Sequence, residues 1–327
     1  MNYAEYSLAL CAMLAAPMKS DVTTAEFALV AMTRAVEAGA LLPVDEGLKR
    51  LGVPVLDRFP VAVPRSLADC RTVVTYRISV PDVDALRAAM STLSATHPID
   101  VVLLTKATRV QRYRLAVFDM DSTLIRCEVI DELARYAGVG AEVAAITDRA
   151  MAGELDFRGS YAERLALLRG LDAAMIDRVA DSLPVMEGVP ELIATLRGRG
   201  VATAILSGGF TPFAERLQQR FGFDSVFANA LEIEDGRLTG VPREPVVDAV
   251  AKKEAMLRLA DQLGIGTSEV IAVGDGANDL PMLKAAGLAV AFEAKPTVRE
   301  QITNRIDHIG LDGVLYLLGS QGEWSDA

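Results

Sequence analysis

Cysteine is scarce in this 327-residue chain: Cys11, Cys70 and Cys127 are an odd number, lie far apart and form no C-x-x-C pair. That excludes a disulfide framework and a zinc knuckle, and it fits reduced thiols in the cytoplasm. Histidine is scarcer still, and His97 and His308 stand alone in structural contexts. No apolar run approaches the ~20 residues of a membrane span, so no membrane partner is expected. The apolar stretch 8–16 does not read as a signal peptide, because no basic residue precedes it and Glu5 sits where a leader carries positive charge. An excess of positive charge is also missing: Lys and Arg total 33 against 44 for Asp and Glu, a net charge of −11. Such a surface repels polyanions, which excludes nucleic acid, and a phosphorylated ligand has to be captured by a metal or a few placed cations.

What the chain does have is hydrophobic residues, 51% of the total, enough for full cores, and a length that favours two domains. Residues 1–106 read as strand 7–13, helix 24–38 with Thr23 or Thr24 as N-cap, strands 53–63 and 72–80, an amphipathic helix 82–93, and strand 99–104. This βαββαβ order is the ferredoxin-like, α+β arrangement, also the form of small amino-acid-sensing ACT modules. A basic connector, 106–114, leads into residues 107–327. There, continuous apolar runs at 115–118, 201–206, 270–273 and 288–291 suit strands buried on both faces of a parallel sheet. Helical stretches such as 190–199 and 252–263 alternate with them, which predicts an α/β, doubly wound, mostly parallel sheet. The segment 126–183 is far longer than a crossover helix needs, and it reads as a helical cap inserted over the carboxyl edge of the sheet.

The strongest chemical signal is Asp119-Met120-Asp121-Ser122-Thr123, directly after the first apolar run. Carboxyl ends of strands border the ligand crevice of a doubly wound sheet, so both carboxylates open into it. A helix cap accounts for one such Asp but not for two. Gly274-Asp275-Gly276-Ala277-Asn278-Asp279 places two more carboxylates on a glycine-rich turn at another strand end. Acidic side chains from two strand ends make a hard-oxygen site of the kind that suits Mg²⁺. Ser207-Gly208-Gly209 offers a hydroxyl and backbone N–H groups to phosphate oxygens, and Lys252, near a helix start, offers a point positive charge. Alone, the first is more often a plain loop and the second a solvated side chain; the ensemble gives them weight.

On these four motifs, in this order, the chain resembles the haloacid dehalogenase superfamily of phosphotransferases. The likeness to its phosphoserine phosphatase family runs over roughly 115–318, through Glu128-x-x-Asp131-Glu132, Met151-x-Gly153-Glu154-Leu155-Asp156-Phe157, Arg164, Ser207 to Phe210 and Gly274 to Met282. The resemblance implies that Asp119 attacks phosphorus to form an aspartyl-phosphate and that Asp121 is general acid and then general base. It implies Mg²⁺ on a carboxylate oxygen of Asp119, the backbone carbonyl of Asp121 and the side chain of Asp275, with Asp279 close by. Ser207, the Gly208 amide and Lys252 would hold the phosphoryl oxygens, and Asn278 would orient the ester or Lys252. Glu128 would take the substrate ammonium and Arg164 its carboxylate, with Met151 and Phe157 as the apolar wall. The implied reaction is hydrolysis of O-phospho-L-serine, the last step of serine biosynthesis. Alternatives are another small phosphomonoester, phosphoryl transfer to an acceptor such as homoserine, or a mainly amino-acid-responsive regulatory protein. An ACT-like first domain implies a serine effector and a homodimer.

Overall fold

A computed structural model describes residues 25–80, 82–319 and 321–324, so the strand expected at 7–13 lies outside the described residues. Where the sequence predicts a helix over 24–38, Ala25–Thr33 is a strand, β1. The reason is burial on both faces: every residue from Phe27 to Thr33 is enclosed, so the apolar–polar alternation that marks a strand is absent. The first described helix instead occupies Leu42–Arg50, with proline in its first turn. Then come β2 (Val55–Pro60), β3 (Thr72–Val80), a helix Val83–Thr96 and β4 (Ile99–Thr105). The Asp82 side chain caps that helix by accepting the N–H groups of Asp84 and Ala85. The sheet order is β2-β3-β1-β4 with antiparallel neighbours, so the ferredoxin-like βαββαβ order is present but begins on different residues.

The second sheet holds β5 (Leu115–Phe118), β6 (Ala202–Phe210) and β7 (Ser225–Asn229). After a small hairpin, β8 (Ile233–Glu234) and β9 (Arg237–Leu238), it continues with β10 (Val270–Gly274), β11 (Leu288–Phe292) and β12 (Arg305–Ile306). The order is β12-β11-β10-β5-β6-β7 and the pairing is parallel throughout. From β5 the chain winds outward to β7 and then returns to the other side, at β10. The direction of winding therefore reverses between β5 and β10, which opens the ligand crevice at their carboxyl ends.

Four helices, Val129–Ala137, Gly140–Met151, Phe157–Leu167 and Ala174–Asp181, form the cap between β5 and the helix Val189–Gly198. The chain enters and leaves the cap through a paired neck. Ile125 bridges Val185, Arg126 N–H donates to the Pro184 carbonyl at 2.8 Å, and Met186 N–H donates to that of Leu124 at 2.9 Å.

Among the described residues, the helices Leu42–Arg50 and Val83–Thr96 pack on one face of the N-terminal sheet. Its other face, with Val30, Met32, Val73, Val102 and Leu104, shares a buried core with the larger domain. The basic connector is part of this packing, because Arg109 is fully buried and donates to Glu323, Thr75 and the Tyr316 carbonyl. Asp100 accepts the backbone N–H groups of Asp307, His308 and Ile309. Arg71 has no exposed side-chain surface and pairs with Asp312 at 3.0 Å and with Glu187 at 2.6 Å; Arg34 also reaches Glu187. Tyr316 Oη donates to Asp312 at 2.7 Å. Among the described residues no helix is long and apolar enough to cross a membrane.

Removing one partner of a buried ion pair strands the other charge. Arg71→Met is therefore expected to lower stability by about 3 kcal/mol or more, read as a drop in the urea midpoint. Pairing it with Asp312→Leu should recover much of the loss; a single variant as stable as the parent contradicts the role given to this contact.

Candidate active site

The site grows from three strands, β5, β6 and β10, and from one helix start. Asp119 follows β5, and its Oδ1 accepts the Met120 N–H at 2.7 Å and the Lys252 ammonium at 2.7 Å. Lys252 comes from the first turn of the helix Ala249–Gln262, which Asp248 caps through the N–H groups of Val250 and Ala251. That ammonium is fully buried and also contacts Asp279 Oδ1 at 2.8 Å. Burial opposes its charge, but Asp119 and Asp279 outweigh burial and hold it above the ordinary lysine range.

Asp275 and Asp279 stand at the end of β10. Asp279 Oδ2 accepts the backbone N–H groups of Asp275 at 3.2 Å and Gly276 at 3.0 Å, so both of its oxygens are engaged. Gly274 is what lets it lie there, since a Cβ at that position would come within 2.5 Å of the Asp279 carboxylate. Burial and the Asp119 charge push the Asp279 carboxyl upward, against the pull of Lys252. Asp275 accepts Thr123 Oγ1 at 3.2 Å and is pushed up to about 6, first by burial and then by Asp119. One carboxylate oxygen from each of Asp119, Asp275 and Asp279 lies within 4.8 Å of the others, and all three residues are buried. Three carboxylates around one ammonium leave an acidic excess, a donor set that fits a hard divalent cation.

Asp121 lies one turn beyond Asp119. Its Oδ1 accepts the Val129 N–H at 3.3 Å, and Gly209 is bare beside it: a Cβ there would meet Asp121 Oδ2 at 2.7 Å. Burial, then Glu128 and Asp119, push its carboxyl well above the ordinary range. The next residue, Ser122, has φ of +57°, an uncommon left-handed conformation for a side chain, and its hydroxyl donates to Glu128 Oε1 at 3.0 Å. Ser207, in β6 just where the regular pairing with β7 stops at Leu206, accepts the Gly209 N–H at 2.9 Å, while the Gly208 carbonyl accepts Asn229 Nδ2 at 2.7 Å.

The cap supplies the remaining residues. Phe157 opens the helix Phe157–Leu167 and lays its ring over Gly208, whose Cβ position is 3.2 Å from Phe157 Cζ. Phe157, Tyr161, Phe210 and Phe213 continue as a row of ring contacts with centroids 6.1 to 6.4 Å apart, tying cap to core. Arg164 donates to the Ser160 carbonyl at 3.3 Å, and its charge opposes the burial that raises the Asp131 carboxyl. Asn278 sits in the β10 turn with Oδ1 against Gly276. Met151 closes its helix, and its side chain lies outside the described ones.

Two contributors escape the motifs: Asn229 and Lys295. Lys295 Nζ is 3.3 Å from Asp275 Oδ2 and 3.9 Å from Glu128 Oε1. Its only sequence signal is a Lys-Pro step shortly after an apolar strand, which is common without function.

A haloacid dehalogenase-like hydrolase family model matches residues 113–287. A phosphoserine phosphatase of Streptomyces coelicolor is 44% identical over 256 residues, 78% of this chain and 62% of that protein. The phosphoserine phosphatase of Mycobacterium tuberculosis is 42% identical over 298 residues, 89% of this chain and 70% of its own length. This chain thus spans under two thirds of the first and somewhat more of the second. A phosphoserine phosphatase solved as a phospho-aspartyl intermediate analogue superposes with a TM-score of 0.60 at 39% identity, covering 64% of this chain and 100% of that one. A family match that includes the β5, β6 and β10 ends, together with relatives at this identity, leaves one assignment: the chain belongs to the haloacid dehalogenase-like hydrolases and, within them, to the phosphoserine phosphatase family.

Proposed function

We propose that the chain hydrolyses O-phospho-L-serine to L-serine and phosphate through an aspartyl-phosphate on Asp119. The observation that carries this reading is the pair on the β5 loop: Asp119 held by Lys252, and Asp121 with its carboxyl pushed far up in pKa. A nucleophile and a proton donor are thereby differentiated by environment alone. Phosphoryl transfer needs little beyond positioning and charge, and attack by a carboxylate divides the hydrolysis into two easier displacements. Asp119 attacks phosphorus, the P–O bond to the seryl oxygen breaks, and Asp121 gives that oxygen its proton. Asp121 then removes a proton from the water that cleaves the acyl phosphate. Ser207, the Gly208 amide and Lys252 hold the phosphoryl oxygens, and Phe157 over Gly208 excludes bulk water. Glu128 and Arg164 receive the ammonium and carboxylate of the substrate.

For the metal we propose Mg²⁺ on Asp119, the backbone carbonyl of Asp121 and Asp275, with Asp279 orienting these carboxylates and Lys252, since its own oxygens are already engaged. Bound there, Mg²⁺ offsets the repulsion between the attacking carboxylate and a dianionic ester. For the ferredoxin-like unit we propose the ACT-like role, a serine effector and a homodimer. Sedimentation with and without serine tests both.

A phosphomonoester panel tests the substrate: phosphoserine is expected to exceed phosphoethanolamine and phosphoglycolate, and Arg164→Ala should erase the preference for the carboxylated ester. Asp119→Asn is expected to lower turnover on the order of a thousandfold or more without unfolding the chain; retained activity sinks the nucleophile assignment. Asp121→Asn should release one equivalent of nitrophenolate from nitrophenyl phosphate and then stall, because that leaving group needs no proton while the water step does. Steady turnover without a burst contradicts the assignment.

The Asp275 carboxyl, raised to about 6, is protonated when folded over a range where the unfolded chain is ionised. Metal-free stability therefore falls as pH rises from about 4 to about 6, by about 3 kcal/mol. Since Mg²⁺ binds the ionised form, the thermal shift it gives over chelator should grow between about pH 5 and about pH 7. A shift that shrinks over this window counts against Asp275 as a ligand.

A further inference from the structure

A further strand end reaches the site. β11 stops at Phe292, and Glu293 turns the chain through a left-handed φ of +41°. Lys295 then takes up an extended conformation before Pro296, with its N–H donated to the Asp275 carbonyl at 2.9 Å. Arg299 Nε binds the Ala294 carbonyl at 2.7 Å and closes the turn from the other side. The backbone of Lys295 is thus fixed to the loop that carries Asp275, while its side chain stays 55% exposed and free to swing. Its ammonium lies between a core carboxylate, Asp275, and a cap carboxylate, Glu128, at 3.3 and 3.9 Å. Glu128 is the residue given above to the substrate ammonium, and it belongs to the chain entering the cap.

We propose that Lys295 is a specificity-positioning residue: it bridges Asp275 and Glu128 across the cap–core cleft and occupies, in the substrate-free enzyme, the place at Glu128 that the ammonium of an amino-bearing phosphomonoester takes. This rests on the reading of Glu128 under the proposed function. An ester with an ammonium displaces Lys295 from Glu128, and Lys295 falls back on Asp275, so neither charge is left alone. An ester without one leaves the Lys295–Glu128 pair in place. Lys295 therefore narrows the gap between the two kinds of ester, because Glu128 is neutralised either way. Without it, Glu128 faces an uncharged group uncompensated, and discrimination sharpens.

The test compares phosphoserine with 3-phosphoglycerate, which carries a hydroxyl where phosphoserine carries the ammonium, in wild type, Lys295→Met, Lys295→Gln and Lys295→Arg. The ratio of the two kcat/KM values cancels any loss of folded enzyme. It is expected to rise about fivefold in the Met and Gln variants, the upper size of a partly exposed ion pair, and to return to the wild-type value in the Arg variant. L-serine, the product, should bind more tightly by a similar factor in calorimetry of the Met variant, with no turnover involved. In a Glu128→Gln background Lys295→Met should leave the ratio unchanged. A ratio that stays the same or falls in Lys295→Met, or an Arg variant that behaves like Met, overturns the role of Lys295 while leaving the substrate assignment standing. Wild type that fails to hydrolyse phosphoserine overturns both.

Discussion

The Lys252 ammonium, enclosed between Asp119 and Asp279, is the contact on which the rest of the site depends. Removing an ammonium from water costs several kcal/mol unless partners replace its hydration, and two carboxylates at 2.7 and 2.8 Å do so. The same contact keeps those carboxylates, from adjacent strand ends, from forcing each other apart. Other features serve it: the Asp248 cap fixes the start of the helix that carries Lys252, and Gly274 leaves room for Asp279. With Lys252 committed, the remaining negative charge is concentrated on Asp275 and the outer oxygen of Asp119, the ligands proposed for a divalent cation.

Chemistry and recognition sit on different kinds of support. Most groups assigned to the phosphoryl end project from a parallel sheet whose central strands β5 and β10 are buried along their length, and their positions are fixed by register. Groups assigned to the amino-acid end ride on a helical cap joined through a paired neck and a row of aromatic contacts. A rigid base and an adjustable cover let one reaction serve different esters by changing the cover.

Much of the catalytic base was legible in the sequence, because short apolar runs ending in Asp-x-Asp or Gly-Asp-Gly give both the element and the chemistry at its tip. The N-terminal unit was legible only as an order of elements. β1 misled because the larger domain covers its second face, a contact between distant residues that leaves no local periodicity to read. The same holds for Lys295, whose ammonium meets Asp275 and Glu128 only after β10, β11 and the cap have come together. Nothing local in the sequence marks Arg109 and Arg71 as buried, for a similar reason. Their carboxylate partners, Glu323, Asp312 and Glu187, are remote in sequence.

Glu187 stands where the returning strand of the cap neck passes into the helix Val189–Gly198, and it is gripped by Arg34 and Arg71 from the N-terminal sheet. The pivot of the cover is therefore anchored outside the hydrolase fold. Any tilt of the cover is thereby coupled to a sheet that holds none of the residues assigned to the reaction.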